Sequence, residues 1–119
     1  MLMLPPSVKI FVVRSPVDAR KSYDGLSNLV LAEFGQDPVS GHLFVFVNRR
    51  ADQVQILFFD RTGFSIMKKR LLQGTFRIRK GIENDSTHVE IDAAELMLML
   101  EGIDLSDAKR RKRFRRDPS

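Results

Sequence analysis

The sequence predicts an α+β fold: an antiparallel β-meander packed with a long N-terminal helix and a short C-terminal helix, followed by a basic, disordered tail. Three observations predict it. Runs dense in β-branched and aromatic residues recur at 43–47, 54–59 and 64–71, separated by turn-forming residues. Between 18 and 34 the apolar residues Ala19, Tyr23, Leu26, Leu29, Val30 and Phe34 fall mostly at steps of three and four, with polar residues between them. Asp92, followed three residues later by Glu95, opens a second apolar-periodic stretch in the manner of a capping box.

Taken in order, 8–13 reads as a first strand built from β-formers after a Pro-Pro-Ser opening. The helix at 18–34 takes Asp18 as its N-cap and stops at Gly35, with Asp37-Pro38 behind it. Gly25 inside that helix costs about 1 kcal/mol relative to alanine, which predicts a strand or helix packed close against the backbone there. The runs at 43–47 and 54–59 are apolar on both alternating faces and look central; 64–71 loses that pattern at Lys68, Lys69 and Arg70 and heads for solvent. The tight Asp60-Arg61-Thr62-Gly63 turn joins the second and third of these runs. Beyond them a short strand is expected at 75–78, a polar loop at 80–87, a strand at 88–91, and then the capped helix, loosened at Gly102. Both helices are expected on one face of the sheet.

Hydrophobic residues at 43% and charged ones at 29% are the balance of a globular chain. At 119 residues one core is the normal solution, so 1–105 is expected as one domain and 106–119 as a basic tail. The absence of cysteine excludes disulfides and thiolate metal sites and fits a reducing compartment. The apolar residues 1–4 stop at Pro5-Pro6, and no run approaches the ~18 apolar residues of a spanning helix, so a cytoplasmic protein without membrane contact is expected. The formal charge is +5, yet Lys109, Arg110, Arg111, Lys112, Arg113, Arg115 and Arg116 exceed it by themselves, leaving the rest of the chain close to neutral. A cationic arm on a balanced body points to a polyanionic partner.

Five blocks carry a family likeness. They are Asp18-x-Arg20-Lys21-x-x-Asp24-Gly25-Leu26, Gly41-His42-Leu43-Phe44-Val45-Phe46 with Asn48-Arg49-Arg50-x-Asp52, Asp60-x-x-Gly63, Lys69-Arg70-Leu71-x-x-Gly74-x-Phe76, and Glu101-Gly102-Ile103-Asp104. In order and spacing they resemble the accessory protein encoded beside the transposase in insertion sequences of the IS-sixty-six type, an Orf2-like family often labelled TnpB. The chain does not resemble the RNA-guided nuclease that shares that label. The likeness runs from about Pro6 to Asp104, with Phe58 and Phe59 where the family commonly carries tryptophan. It implies a small protein made with a DDE-type transposase and a second short element-encoded protein and needed for efficient movement of the element, and it implies no particular biochemical activity.

The residues suggest how such a protein would work. The arm at 109–116 is a salt-dependent phosphate binder by counterion release; the bland reading is a solvated tail. Phosphate contact of this kind positions a protein without specifying a sequence. Arg49 and Arg50 lie in the loop between the two central strands, and an antiparallel meander returns Lys68, Lys69 and Arg70 toward that loop, giving a basic edge for DNA. The plain alternative pairs those arginines with Asp52 or Asp60.

No enzymatic reading carries comparable weight. Asp18, Asp52 and Asp60 each have a capping or turn role, so they make a weak two-metal carboxylate set. His42 and His88 lack metal-ligand spacing, and the scattered glycines form no phosphate loop. Neither a metal nor another cofactor is expected. The leading expectation is an accessory factor binding nucleic acid non-specifically through tail and loop; the rival is a protein–protein adaptor docking the transposase through Arg20, Lys21 and Asp24.

Overall fold

The computed structural model of the protein describes residues 5, 7–77, 88–104 and 109–110. Five strands form its main sheet: β1 (Ile10–Val13), β2 (Leu43–Val47), β3 (Gln53–Asp60), β4 (Gly63–Arg70) and β5 (His88–Ile91). Their spatial order is β4-β3-β2-β1-β5. The β2-β3-β4 part is the expected antiparallel meander, with Val47 opposite Val54 and Asp60 opposite Gly63 across the two turns. The sheet as a whole is mixed, which corrects the expectation of a purely antiparallel one. β1 lies parallel to β2, Ile10 opposite Leu43, and β5 closes antiparallel onto the far side of β1, Val13 opposite His88.

Burial explains why β1 sits inside. All four of its residues and all five of β2 are buried, so both strands need cover on both faces, the condition of a central strand in a layered α/β arrangement. Two cores result. Ile10, Val12, Val45, Val54 and Ile56 face one side and pack with Leu96, Met99 and Phe76; Phe11, Phe44, Phe46 and Leu57 face the other and pack with Leu26 and Val30. Each fully buried leucine or phenylalanine is worth roughly 1.5–3 kcal/mol of transfer free energy.

The helices therefore lie on opposite faces, not on one. α1 (Tyr23–Leu29) runs on as a π-helix, Val30–Phe34, and stops at Gly35, whose φ of 62° is the left-handed cap a glycine supplies without strain. Together these span twelve residues, so the long helix beginning at Asp18 is not formed. The reason is local. Asp18 does not cap the helix but accepts from the Arg20 backbone N–H at 2.8 Å, and its carbonyl accepts from Lys21 N–H at 3.1 Å, closing a turn that uses up the chain before Ser22 takes the N-cap place. Gly25 is not pressed by a strand or helix either: a Cβ there would meet the stem of Lys21 at 3.5 Å, an ordinary contact.

α2 (Ala93–Leu100) carries the expected capping box, Glu95 N–H donating to Asp92 Oδ1 at 2.8 Å and Asp92 N–H donating to Glu95 Oε1 at 3.3 Å. Residues 75–77 form no strand, since Phe76 turns inward and bonds through its N–H to the Ala51 carbonyl at 2.7 Å. Ile78 and the loop expected at 80–87 lie outside the described residues. After α2, β6 (Ile103–Asp104) pairs antiparallel with β7 (Lys109–Arg110), so the first two residues of the basic arm are in a strand and not in a disordered tail. Arg111, Lys112, Arg113, Arg115 and Arg116 lie outside the described residues. Among the described residues no helix is long and apolar enough to cross a membrane.

Candidate nucleic-acid interface

The strand register gives the sheet two distinct ends. β1 and β2 finish, and β3 and β5 begin, at the end where β4 reaches Lys68, Lys69 and Arg70; Gln53 at the start of β3 lies opposite Arg70. Arg49 and Arg50 are exposed in the 48–52 hairpin at this same end. The meander thus brings the loop and the strand terminus together. The other end holds Asp37, Asp60 and Asp92 beside the strand ends and Glu95 in the first turn of α2, with Lys9 and Arg61.

The 48–52 hairpin is braced. Asn48 Oδ1 accepts from the N–H groups of Asp52 and Gln53 at 3.0 Å each, and Asn48 Nδ2 donates to Asp52 Oδ1 at 2.8 Å. Ala51 takes a φ of 60° to close the turn, and its N–H donates to the Asn48 carbonyl at 2.9 Å. From outside, Leu71 N–H donates to the Asp52 carbonyl at 2.8 Å and Phe76 N–H to that of Ala51 at 2.7 Å. The Asp52 carboxylate is thereby engaged by Asn48, so the hairpin's own polar groups hold its backbone while Arg49 and Arg50 point at solvent.

The three basic residues ending β4 divide between the two faces, because successive side chains on a strand alternate. Lys69, opposite Val54, lies on the α2 side and its Nζ donates to the Leu100 carbonyl at 2.8 Å, a cation placed on the negative end of that helix. Lys68 and Arg70, opposite Gln55 and Gln53, lie on the α1 side and are exposed. Buried Gln55 donates through Nε2 to the Lys21 carbonyl at 3.1 Å, tying the approach to α1 to the same end of the sheet.

Lys21 and Asp24 are exposed there. Arg20 is bound to Asp18, with Nη2 2.9 Å from Oδ2 and Nε 3.2 Å from Oδ1. The Arg20 side-chain bond, then its backbone N–H, hold the Asp18 carboxyl down at about 2, and the same bond raises the Arg20 guanidinium. Asp60 stands at the opposite end of the sheet from Asp18 and Asp52. Among the described residues no three His, Asp or Glu side chains gather as metal ligands.

Sequence reasoning missed two cations at the basic end. Arg14 directly follows β1, and Arg77 directly follows Phe76, which is bonded to the hairpin. Arg14 stands alone in the sequence and Arg77 heads the Arg77-Ile78-Arg79-Lys80 run; only their position after a strand or beside a buried anchor places them at this end. Sequence reasoning missed the neighbouring cleft as well. About 250 Å³ in volume, it lies between the β1–α1 connection and the π-helix, lined by residues including Val17, Lys21, Phe34 and Phe46.

Comparison with known proteins places this geometry in a family context. The family described as IS66 Orf2 like protein matches residues 8–110, which takes in all five strands of the main sheet and both helices. The uncharacterized protein y4jC of Sinorhizobium fredii (strain NBRC 101917 / NGR234) is 32% identical over 111 residues, 92% of each chain. The uncharacterized protein y4hO of the same strain is 29% identical over 104 residues, covering 86% of this chain and 88% of its own. No solved structure matches the chain. The family is one of insertion-sequence-associated accessory proteins and not a known class of enzyme, and with its match spanning most of the sequence the chain belongs to the IS66 Orf2 like protein family.

Proposed function

We propose that the protein is an accessory factor of insertion-sequence transposition that binds nucleic acid through phosphate contacts at the basic end of its sheet. The observation that carries this reading is the register of β3 with β4: Arg70 opposite Gln53 sets Lys68 and Arg70 beside the braced hairpin that holds Arg49 and Arg50. Cations spaced over one exposed end act on a phosphodiester chain without reading its sequence. The arm at 109–116 adds nonspecific affinity to the same partner.

A salt series by gel shift tests this. The wild-type protein should bind with an affinity that falls steeply with salt, and Arg49→Ala/Arg50→Ala/Arg70→Ala should flatten the log–log slope by about 0.9 for each phosphate contact removed. A chain ending at Arg110 should lose affinity but keep the hairpin's share of the slope. No retention of nucleic acid even in dilute buffer would sink the reading.

A second reading, docking of the transposase, draws on Tyr23 and Leu31, 49% and 56% exposed along α1 and its π-helical end near Arg20, Lys21 and Asp24. Pull-down of the transposase by wild type but not by Tyr23→Ser/Leu31→Ser, with DNA affinity intact, would favour it.

A further inference from the structure

The cleft beside the basic end divides its chemistry in an unusual way. Its floor is apolar and partly aromatic, with Val13, Val17, Phe34 and Phe46. Phe34 is half-buried and held on several sides: its ring lies 6.5 Å from that of Phe46 at an interplanar angle of 10°, 6.0 Å from Phe44 and 4.7 Å from His88. The π-helix sets this ring, since Phe34 is the last residue of Val30–Phe34 before Gly35 turns the chain away. Two carboxylates line the cleft: that of Asp18 is taken up by Arg20, and that of Glu33 belongs to an exposed residue of the π-helix, one position before Phe34.

Cations stand just outside. Lys21 lines the rim, Arg14 precedes the lining residue Ser15, and Val17 N–H donates to the Val47 carbonyl at 2.9 Å, two residues short of Arg49. A ligand matching this division has a flat, uncharged body joined to an anion. At about 250 Å³ the cleft is smaller than the ~300–1,000 Å³ of pockets for drug-sized molecules and suits one ring system.

We propose that the cleft takes an unstacked nucleobase on the Phe34 ring, so that the protein binds single-stranded nucleic acid in preference to duplex. This rests on the reading of the basic end as a phosphate-binding surface and goes one step past it. Bases in a duplex are stacked and cannot reach a recessed ring, whereas those of a single strand stack on aromatic side chains with little regard for sequence. The cations then follow the backbone on either side of the bound base.

The experiment uses the full chain with a fluorescent single strand and the duplex of the same sequence, compared by anisotropy at several salt concentrations. Wild type should bind the single strand about tenfold more tightly, and Phe34→Leu, which keeps an apolar side chain in the core, should remove most of that preference while leaving duplex affinity and the salt slope unchanged. A fluorescent adenine analogue in the strand supplies a measurement that needs no variant: its emission should be quenched on stacking when wild-type protein is added. Equal affinity for strand and duplex, an equal loss for both in a folded Phe34→Leu protein, or an unquenched analogue overturns the base-binding proposal alone. Absence of binding to either form at low salt overturns the basic-end reading beneath it. Single-stranded RNA in a parallel titration shows which sugar the cleft prefers.

Discussion

Two hairpin turns at opposite ends of the sheet each present arginine, and they are built differently. The Arg61–Thr62 turn between β3 and β4 is the shortest kind of connection: Asp60 pairs with Gly63, Arg61 takes a φ of 50°, and Thr62 N–H donates to the Asp60 carbonyl. The 48–52 hairpin is longer, closed within by Asn48 and held from outside by Leu71 and Phe76. A minimal turn joins strands; a cross-braced one fixes where its side chains stand. The difference teaches that Arg49 and Arg50 sit on a prepared platform, whereas Arg61 rides on a linker.

The contrast can be broken most severely at Asn48. Asn48→Ala leaves two backbone N–H groups of a part-buried hairpin without their acceptor and should cost about 2 kcal/mol in urea denaturation, with nucleic-acid affinity falling alongside. A loss below about 0.5 kcal/mol would show that the bracing is dispensable.

Next in size is Lys69→Met, which removes the cation from the last turn of α2 and should cost about 0.5–1 kcal/mol while leaving the salt slope of nucleic-acid binding unmoved. If the slope falls as much as for Arg70→Ala, Lys69 contacts phosphate and the division of β4 between two faces has no functional meaning.

Glycine substitution then separates the turns themselves. Arg61→Gly relieves the left-handed backbone of an exposed residue and should raise stability by about 0.5 kcal/mol. Ala51→Gly relieves the same strain but gives up a methyl packed against the core of the α2 face, so its thermal midpoint should hardly change. Equal gains in both proteins would erase the distinction.

The smallest effect concerns pH. The folded Asp18 carboxyl is held at about 2 against an ordinary 3.8, so the Asp18–Arg20 link contributes fully above pH 3.8 and is lost as pH falls through about 2. Arg20→Ala should return that carboxyl to the ordinary range in an NMR titration, with little change in stability at neutral pH because the pair is exposed. An Asp18 titration unmoved by the substitution would put the cause elsewhere.

Parts of this design were legible in the residues. The meander could be read from three β-rich runs and a tight Asp-x-x-Gly turn, the capping box of α2 from Asp92 and Glu95, and the meeting of 48–52 with 68–70 from the geometry of any antiparallel return. Other parts could not. Asp18 has the composition of an N-cap, but its carboxylate found Arg20 two residues away and made a turn, a competition between local partners that composition does not decide. Ile-Phe-Val-Val of β1 carried a signal that was underused, since apolar residues on both faces call for a covered, central strand and therefore for helices on two sides. The cleft was illegible, as Val17, Phe34 and Phe46 lie far apart in sequence and meet only across the packed face.

What the sequence determined alone was the kind and extent of most elements and where several of them stop, because those depend on hydrogen bonds and side-chain periods within a few residues: the apolar runs of β2 and β3, the glycine at 35, the reciprocal cap at 92–95. Tertiary structure decided the insertion of β1 beside β2, the face each helix covers, the assignment of Lys69 to a helix end and of Lys68 and Arg70 to solvent, and the gathering of Arg14, Arg49, Arg50 and Arg77 at one end of the sheet. These are matters of which distant apolar surfaces bury one another, a choice set by the free energy of the whole packed sheet and carried by no single segment.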